Sequence, residues 1–406
     1  MATAAPLKPR VTQTFHIDQV LLTVCLCLLG IGFIMVTSSS MHLGVKLADD
    51  VSHYPFKQLV HIILGLMFAA AILAIPMKNW QKIGQPLFIA GLVLLLVVLV
   101  PGIGIKVNGS IRWFSIFGMR IQVSEVVKFI SVIYMAGYIT RHMDHVRHSL
   151  FGLLRPLLLF SVACILLLME PDFGSAVVIL IIAMGMMFLG GARLSPFVVL
   201  VGLVSSAAVV LAYTSPYRLK RITGFVDPWE HARDSGYQLT QALISFGRGE
   251  VSGVGLGNGL QKLFYLPEAH TDFLFSVLGE ELGLIGVLVV IGLFTTLIVR
   301  AFAIGEQAEQ VGEHFSALVA YGLAIWFGFQ SFVNMGVNMG ILPTKGLTLP
   351  LMSYGGGSMI IMCGAMAVLF RIHYEVTELH KSNVGHSRPP ASRNTGTSFY
   401  GEGKQR

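Results

Sequence analysis

Charge is what this chain has least of. Only 12% of its 406 residues are Asp, Glu, Lys or Arg, against about 25% in an average soluble domain. A soluble globular fold is therefore excluded. Cysteine is scarce too: Cys25, Cys27, Cys164 and Cys363 all sit in apolar runs and show no metal-ligand spacing. That excludes a disulfide framework and a thiolate metal centre, and leaves small buried hydrophobes. No glycine-rich loop ends in Gly-Lys-Ser/Thr, so there is no P-loop. The first apolar run starts near Asp18, is too long for the core of a signal peptide and has no small-residue cleavage site. The net charge of +7 does not point to nucleic acid, because the excess Lys and Arg fall in short loops and the C-terminal stretch.

What is present is hydrocarbon. Hydrophobic residues make up 54% of the chain and the mean hydropathy is +0.73. The sequence reads as an all-α polytopic integral membrane protein with about ten transmembrane helices. The runs lie near 18–37, 57–76, 86–104, 122–140, 153–169, 173–190, 195–213, 273–300, 315–336 and 349–370. An even number places both termini on one side. Lys8, Arg10, Lys78, Lys82, Arg141, Arg147, Arg193, Arg300, Arg371, Lys381 and Arg388 share that side, which makes it cytoplasmic. The expected organisation is a cytoplasmic tail (1–17), a membrane domain (18–375) and a disordered cytoplasmic tail (376–406). A large extracytoplasmic loop (214–272) joins helices seven and eight. It contains an amphipathic stretch at Tyr237–Ile244 and a glycine-rich stretch at 247–259, and its length argues for a function. No internal repeat of the transporter kind is present.

The polar residues gather where that loop re-enters the membrane. Lys262, Glu268, His270, Asp272, Glu280 and Glu281 lie around Y-L-P-E-A-H-T-D-F-L-F-S-V-L-G-E-E-L at 265–282. A carboxylate at membrane depth costs roughly 2.5–3.5 kcal/mol on insertion scales. Asp272 fits a helix cap. Crowded by Glu268 and His270 and partly desolvated, it also fits a general base. At least one of Glu280 and Glu281 should pair with a cation. Glu125 and Lys128, three residues apart, share a helical face, either as a structural ion pair or as the polar floor of an external cavity. Arg112 and Trp113 offer a phosphate fork and an aromatic surface, or an interfacial anchor. Arg218 lies in the basic cluster Pro216–Arg221, which suits a diphosphate or lipid headgroups. Ser353 opens Ser-Tyr-Gly-Gly-Gly-Ser at the outer end of the last span, where glycines permit a broken helix. His142, His145 and His148 read as a solvated basic loop rather than a metal site.

Together these segments resemble the SEDS family (shape, elongation, division and sporulation) of bacterial peptidoglycan polymerases. The likeness spans about 18–375 and is most specific in L-P-E-A-H-T-D-F at 266–273, E-E-L-G at 280–283 and L-P-T-K-G-L-T-L-P-L-M-S-Y-G-G-G-S at 342–358. N-G-S-I-R-W at 108–113, P-Y-R at 216–218, D-P-W at 227–229, S-G-Y-Q-L-T-Q at 235–241 and F-G-R-G-E at 246–250 resemble the division branch. The chain departs from the family pattern at Val123, where many members have Pro, and at Glu170, which opens E-P-D-F-G-S where Q-P-D-L-G-T is usual. It also carries a third glycine after Ser353-Tyr354.

The resemblance implies a glycosyltransferase that polymerises lipid II, the undecaprenyl-pyrophosphate-linked disaccharide-pentapeptide, into β-1,4 glycan with inversion. Asp272 would be the catalytic base. Arg112, Lys128 and Arg218 are candidates for the diphosphate, and Trp113, Glu125, Glu268, His270 and Ser353 for the rest of the substrate site. No cofactor is implied beyond an optional divalent cation, magnesium or manganese. The implied partners are a class B penicillin-binding transpeptidase, meeting helices eight and nine and the outer loop, and other membrane proteins of the division machinery, at the septum of the bacterial cytoplasmic membrane. A lipid II flippase and a non-catalytic division scaffold are the alternatives.

Overall fold

A computed structural model of the chain describes residues 17–107, 110–116, 119–214, 216–343 and 346–386. Thirteen helices and one small sheet appear among them. The helices are α1 (Gln19–Ala48), α2 (His53–Leu73), α3 (Met77–Val98), α4 (Val123–Arg141), α5 (Met143–His148), α6 (Leu150–Met169), α7 (Phe173–Leu189), α8 (Leu194–Tyr213), α9 (Pro216–Val226), α10 (Tyr237–Gly249), α11 (Leu274–Gln310), α12 (His314–Asn338) and α13 (Gly356–His386). Among the described residues, eight helices are long and apolar enough to cross a membrane: α1, α2, α3, α4, α6, α11, α12 and α13. Two more, α7 and the stretch Leu194–Ala207 of α8, are apolar but shorter. Each apolar run of the sequence thus has its helix.

The differences lie at the ends. α3 begins at Met77 rather than near 86, because Pro76 stands just ahead of it and Pro86 is accommodated within it. α13 begins only at Gly356. The segment before it is a turn in which the Leu349 amide donates to Ser353 Oγ at 2.9 Å. At its other end α13 runs past residue 375, where the sequence suggests a disordered tail, and is helical to His386. Just ahead of that extension Arg371 Nε lies 2.6 Å from Glu375 Oε1, one turn on, and Glu375 also receives the Met77 amide at 3.1 Å. A further addition to the all-α expectation is a three-stranded antiparallel sheet of β1 (Ile105–Val107), β2 (Ser110–Ile116) and β3 (Met119–Gln122), in that order. It sets Trp113 opposite Gln122 and leads directly into α4.

α4 runs through the middle of the bundle and is buried on all sides over most of its length. It packs against α3, α7 and α12, while α2 lies along α13 and α1 along α11. Helices in a bilayer gain nothing from hiding apolar surface from lipid, so small residues and paired polar groups set these contacts. Asp18 caps α1 through the Leu21 amide at 3.0 Å and pairs with Arg300 of α11.

The most consequential irregularity is inside α11. Gly283 has φ 64° and ψ −163°, so the helix is broken there. The loop after α10 fills the gap with main-chain bonds. Val254 N donates to Glu280 O at 3.0 Å and Gly255 N to Glu281 O at 3.1 Å. In return, Leu284 N donates to Glu250 O at 3.0 Å and Ile285 N to Val251 O at 3.2 Å. A broken helix at this depth is tolerated when other protein groups satisfy its backbone. Gly253, at φ 80°, lies so close that a Cβ there would stand 2.2 Å from the Glu281 carbonyl oxygen. Gly253→Ala and Gly283→Ala should each destabilise the protein by at least ~1–3 kcal/mol from backbone strain alone. Thermal unfolding in detergent checks this, with Gly257→Ala, strained but in open space, as the milder comparison.

Candidate active site

Two carboxylates beyond the loop are consumed in holding it. Glu280 is fully buried and accepts Arg248 Nη1 at 2.6 Å and the amides of Leu260 and Gln261 at 2.9 and 3.2 Å. Glu281, also fully buried, pairs with Lys262 Nζ at 2.6 Å, with Ser38 Oγ of α1 and with the Gly257 amide. Both pair with cations, and both are structural. Paired and hydrogen-bonded on every side, they pin the glycine-rich loop to α1 and to the outer segment of α11.

Asp272 is treated differently. It precedes α11, whose N-cap is Phe273 and has no side-chain cap. The capping work is done from α12: Asn338 Oδ1 accepts the Ser276 amide at 3.0 Å and Ser276 Oγ at 2.6 Å. The Asn334 and Asn338 side-chain amides donate to the Asp272 carbonyl oxygen at 2.9 and 3.0 Å. The backbone of Asp272 is therefore clamped. Its half-buried carboxylate accepts no hydrogen bond among the described residues and lies over Gly346, where a Cβ would come within 2.7 Å of Oδ2. Desolvation, reinforced by the charges of Glu268 and Asp172, pushes its pKa up to about 7, against the pull of Arg221 and Arg112. A bare carboxylate poised near neutrality with two guanidinium groups in electrostatic range is arranged for proton transfer.

The neighbours come from four elements. Arg112 of β2 lies across the hairpin between α6 and α7, with Nε donating to Glu170 O at 3.0 Å and Nη2 to Pro171 O at 2.5 Å. Its fork is spent on neutral carbonyls, so its positive charge is not cancelled. Asp172 caps α7 through the Ser175 amide and accepts Ser124 Oγ and Gln122 Nε2 at 3.0 and 3.1 Å. The hairpin, the sheet and the start of α4 thereby form one wall. Glu268, exposed and at φ 56°, accepts Thr271 Oγ1 at 2.8 Å. His270 lies with its ring 5.4 Å from both Tyr54 of α2 and Tyr354, and its carbonyl accepts the Tyr354 amide at 3.0 Å. Burial lowers its pKa despite Glu268, so the imidazole is neutral near pH 7.

Other sequence candidates fall outside this immediate circle. Lys128 is fully buried, 2.7 Å from Glu125 Oε1 and 2.9 Å from Gln330 Oε1, with Trp326 Nε1 on the same oxygen. Gln330 Nε2 in turn donates to Thr348 O at 3.0 Å. The pair therefore supports the segment that passes Asp272 rather than facing open space. Ser353 Oγ is taken up by its turn. Trp113 is half-buried on the sheet. The side chain of Arg218, like Asn108, Gly109, Thr344 and Lys345, lies outside the described residues, whereas Arg221 of the same cluster acts on Asp272. Among the described residues no three His, Cys, Asp or Glu side chains are grouped to hold a metal ion.

The sequence reading passed over several of these residues. Gln330, Asn334 and Asn338 recur every four residues, one face of α12, and polar groups at that spacing in an apolar run were the available signal. Arg120 on β3, close enough to act on Tyr354, gave none. Glu170 is buried, both carboxyl oxygens lack partners among the described residues, and burial together with Asp172 pushes its pKa up to about 8 against Arg112. The folded state binds a proton that the unfolded chain releases near 4.3, so stability falls as pH rises from about 4.5 to about 8 and is flat above. Glu170→Gln should remove that slope in unfolding curves recorded across this range.

A family model described as a cell cycle protein, spanning FtsW, RodA and SpoVE, matches residues 19–378. The chain belongs to this family of membrane-embedded cell cycle proteins. Among its relatives is a probable peptidoglycan glycosyltransferase FtsW of Methylomonas methanica, 84% identical over 389 residues and covering 96% of this chain and 100% of the relative. Another, of Methylococcus capsulatus and named likewise, is 57% identical, with 89% and 91% covered. Both names fit the division branch suggested by the sequence. Two solved structures share the fold. A chain from a study of how a peptidoglycan synthase complex coordinates polymerisation and crosslinking has TM-score 0.71 at 28% identity, covering 89% of this chain and 99% of that one. The rod shape determining protein RodA of Thermus thermophilus has TM-score 0.64 at 27% identity, covering 88% and 96%.

Proposed function

We infer that the chain is a peptidoglycan glycosyltransferase that polymerises lipid II into glycan strands, with Asp272 as its general base. The observation that carries the catalytic part is the contrast above: Glu280 and Glu281 are bonded on all sides, whereas the Asp272 carboxylate is bare, raised to about 7 and flanked by Arg112 and Arg221. The 4-hydroxyl oxygen of one sugar attacks the anomeric carbon of the other. The bond from that carbon to the diphosphate oxygen breaks with inversion, and the hydroxyl proton passes to Asp272. Arg112 and Arg221 stabilise the charge that grows on the departing diphosphate. The diphosphate is a built-in leaving group, so no nucleotide is consumed. The basic loops support cytoplasmic termini and an extracytoplasmic site, where division at the septum would use the product. A class B transpeptidase that crosslinks the strands is the expected partner, on α11, α12 and the loop between α8 and α11. Transport of lipid II is the less favoured reading, because the charges deeper in the bundle are paired with one another.

The test is reconstitution with a transpeptidase on labelled lipid II. Wild type should form strands, at a rate that rises with pH through about 7 as Asp272 loses its proton. Asp272→Asn and Asp272→Ala should lose about 10²–10⁴-fold, the usual worth of a general base. Asp272→Asn, relieved of a desolvated charge, should also unfold at a higher temperature than wild type above pH 7. Normal strand formation by either variant would overturn the assignment. Lys128→Ala strands a buried carboxylate and should cost about 3–5 kcal/mol of stability and most activity. The double change Lys128→Met with Glu125→Gln should recover stability without restoring the rate, measured on the same preparations.

A further inference from the structure

Two arginines from different hairpins line one cavity at the end of the bundle opposite Asp272. α6 and α7 both run away from the hairpin 170–172, so their other ends lie roughly 25–30 Å from it at 1.5 Å per residue. There α6 starts after Ser149, and α7 gives way to α8 through the turn from Gly190 to Arg193. Between the two is a cavity of about 200 Å³, several times the roughly 30 Å³ of a water molecule. Arg147, His148 and Ser149 line it from the α5–α6 turn, and Arg193, Ser195 and Pro196 from the start of α8. Both walls are fixed. Tyr138 Oη of α4 donates to Gly152 O at 2.9 Å, and Ser149 Oγ accepts the Phe151 amide at 3.2 Å. Across the cavity, Ala192 N donates to Met187 O at 3.1 Å, and Gly191 turns the chain at φ 89°.

A Cβ on Gly191 would stand 3.0 Å from Arg147 Nε. The Arg147 guanidinium is therefore laid on the turn that carries Arg193 two residues later. Among the described residues neither arginine forms an ion pair, and Asp144, the carboxylate of α5, pairs with neither. Elsewhere in this bundle buried and half-buried cations each have a carboxylate. Two like charges on one cavity repel unless an anion lies between them. The rim is apolar: Leu150, Phe151 and Leu194 are 51%, 72% and 64% exposed. The apolar surface continues along α8, where Leu200 is the one buried residue among those described.

We propose that this cavity binds the phosphate of an anionic phospholipid, with Arg147 and Arg193 on the phosphate and the acyl chains along α6 and α8. Guanidinium forks match phosphate oxygens in charge and geometry, and basic pockets between membrane helices suit such headgroups. A free phosphate would answer the arginines and leave the apolar rim bare. A zwitterionic lipid would bring a cation of its own to two others. The basic loops mark this end as cytoplasmic, so the lipid belongs to the inner leaflet. Its headgroup ties the start of α8, which packs on α7 and α9, to α5 and α6. The site is independent of the chemistry at Asp272 and of the substrate inferred there.

The test is titration of the full chain, purified in detergent and stripped of lipid, with phosphatidylglycerol or phosphatidylethanolamine, followed by native mass spectrometry. Wild type should retain a single phosphatidylglycerol at concentrations where phosphatidylethanolamine is lost. Arg147→Gln and Arg193→Gln should each weaken it about fivefold and the double variant about thirtyfold, the weight of one and of two basic residues beside an anionic lipid. Ser195→Phe fills the cavity without changing the charge and should expel the lipid as well. Lys78→Gln removes a charge at the same end of the bundle but outside the cavity, and should bind as wild type does. All four side chains are exposed, so these variants should melt with wild type when no lipid is present. Phosphatidylglycerol should raise the melting temperature of wild type and not that of the double variant. Equal affinity in wild type and the double variant would overturn the proposal, as would a loss in Lys78→Gln equal to that in the arginine variants. Inorganic phosphate that raises the melting temperature as much as the lipid does would put a free anion in the cavity and overturn the lipid assignment.

Discussion

A charge placed among hydrocarbon must find an opposite charge and hydrogen bonds, or it must stay neutral. The architecture of this chain follows from that constraint. Lys128 answers Glu125 and Gln330, Lys262 and Ser38 answer Glu281, and Arg248 answers Glu280. Each of these sets joins elements far apart in sequence. Polar pairs act as the directional glue of the bundle, because apolar side chains discriminate little between a neighbouring helix and lipid. Glu170 takes the other course and keeps its proton.

Asp272 follows neither course completely, and this is what singles it out. Its main chain is held by Asn334 and Asn338, so the carboxylate is placed as firmly as the structural ones, yet its oxygens are left open. Firm placement with unsatisfied chemistry is the signature of a preorganised site. The cost is borne by the surrounding network. The α12 amides, the Glu125–Lys128 pair behind Gln330 and the pinned glycine-rich loop all support the few residues that present the group.

The sequence disclosed much of this and hid the rest for definable reasons. Apolar runs long enough for a bilayer are hard to misread, and each became a helix. Their ends were less legible, because the start of α13 depends on Ser353 accepting the Leu349 amide, a choice that hydropathy does not register. Asp272 stood out by its position among charges, but whether it capped α11 could be decided only by seeing Asn338 do so. Glu125 and Lys128 could be paired from their spacing, whereas their burial behind Gln330 needed the third dimension. The sheet escaped because its strands are short and its half-buried face shows no clean alternation. The wall that Arg112 makes with the α6–α7 hairpin spans 58 positions in sequence, beyond the reach of any local pattern.

The interruption of α11 at Gly283 has a mechanical consequence. A continuous helix would transmit motion from its lipid-embedded length straight to its tip. Here the break is bridged by the strap formed by 250–262, which bonds Glu280 and Glu281 of the tip and Leu284 and Ile285 of the shaft. Force applied to the strap would reach Asp272 through a segment only a few residues long. Tilting of the shaft would reach the tip by way of the same strap, through Leu284 and Ile285.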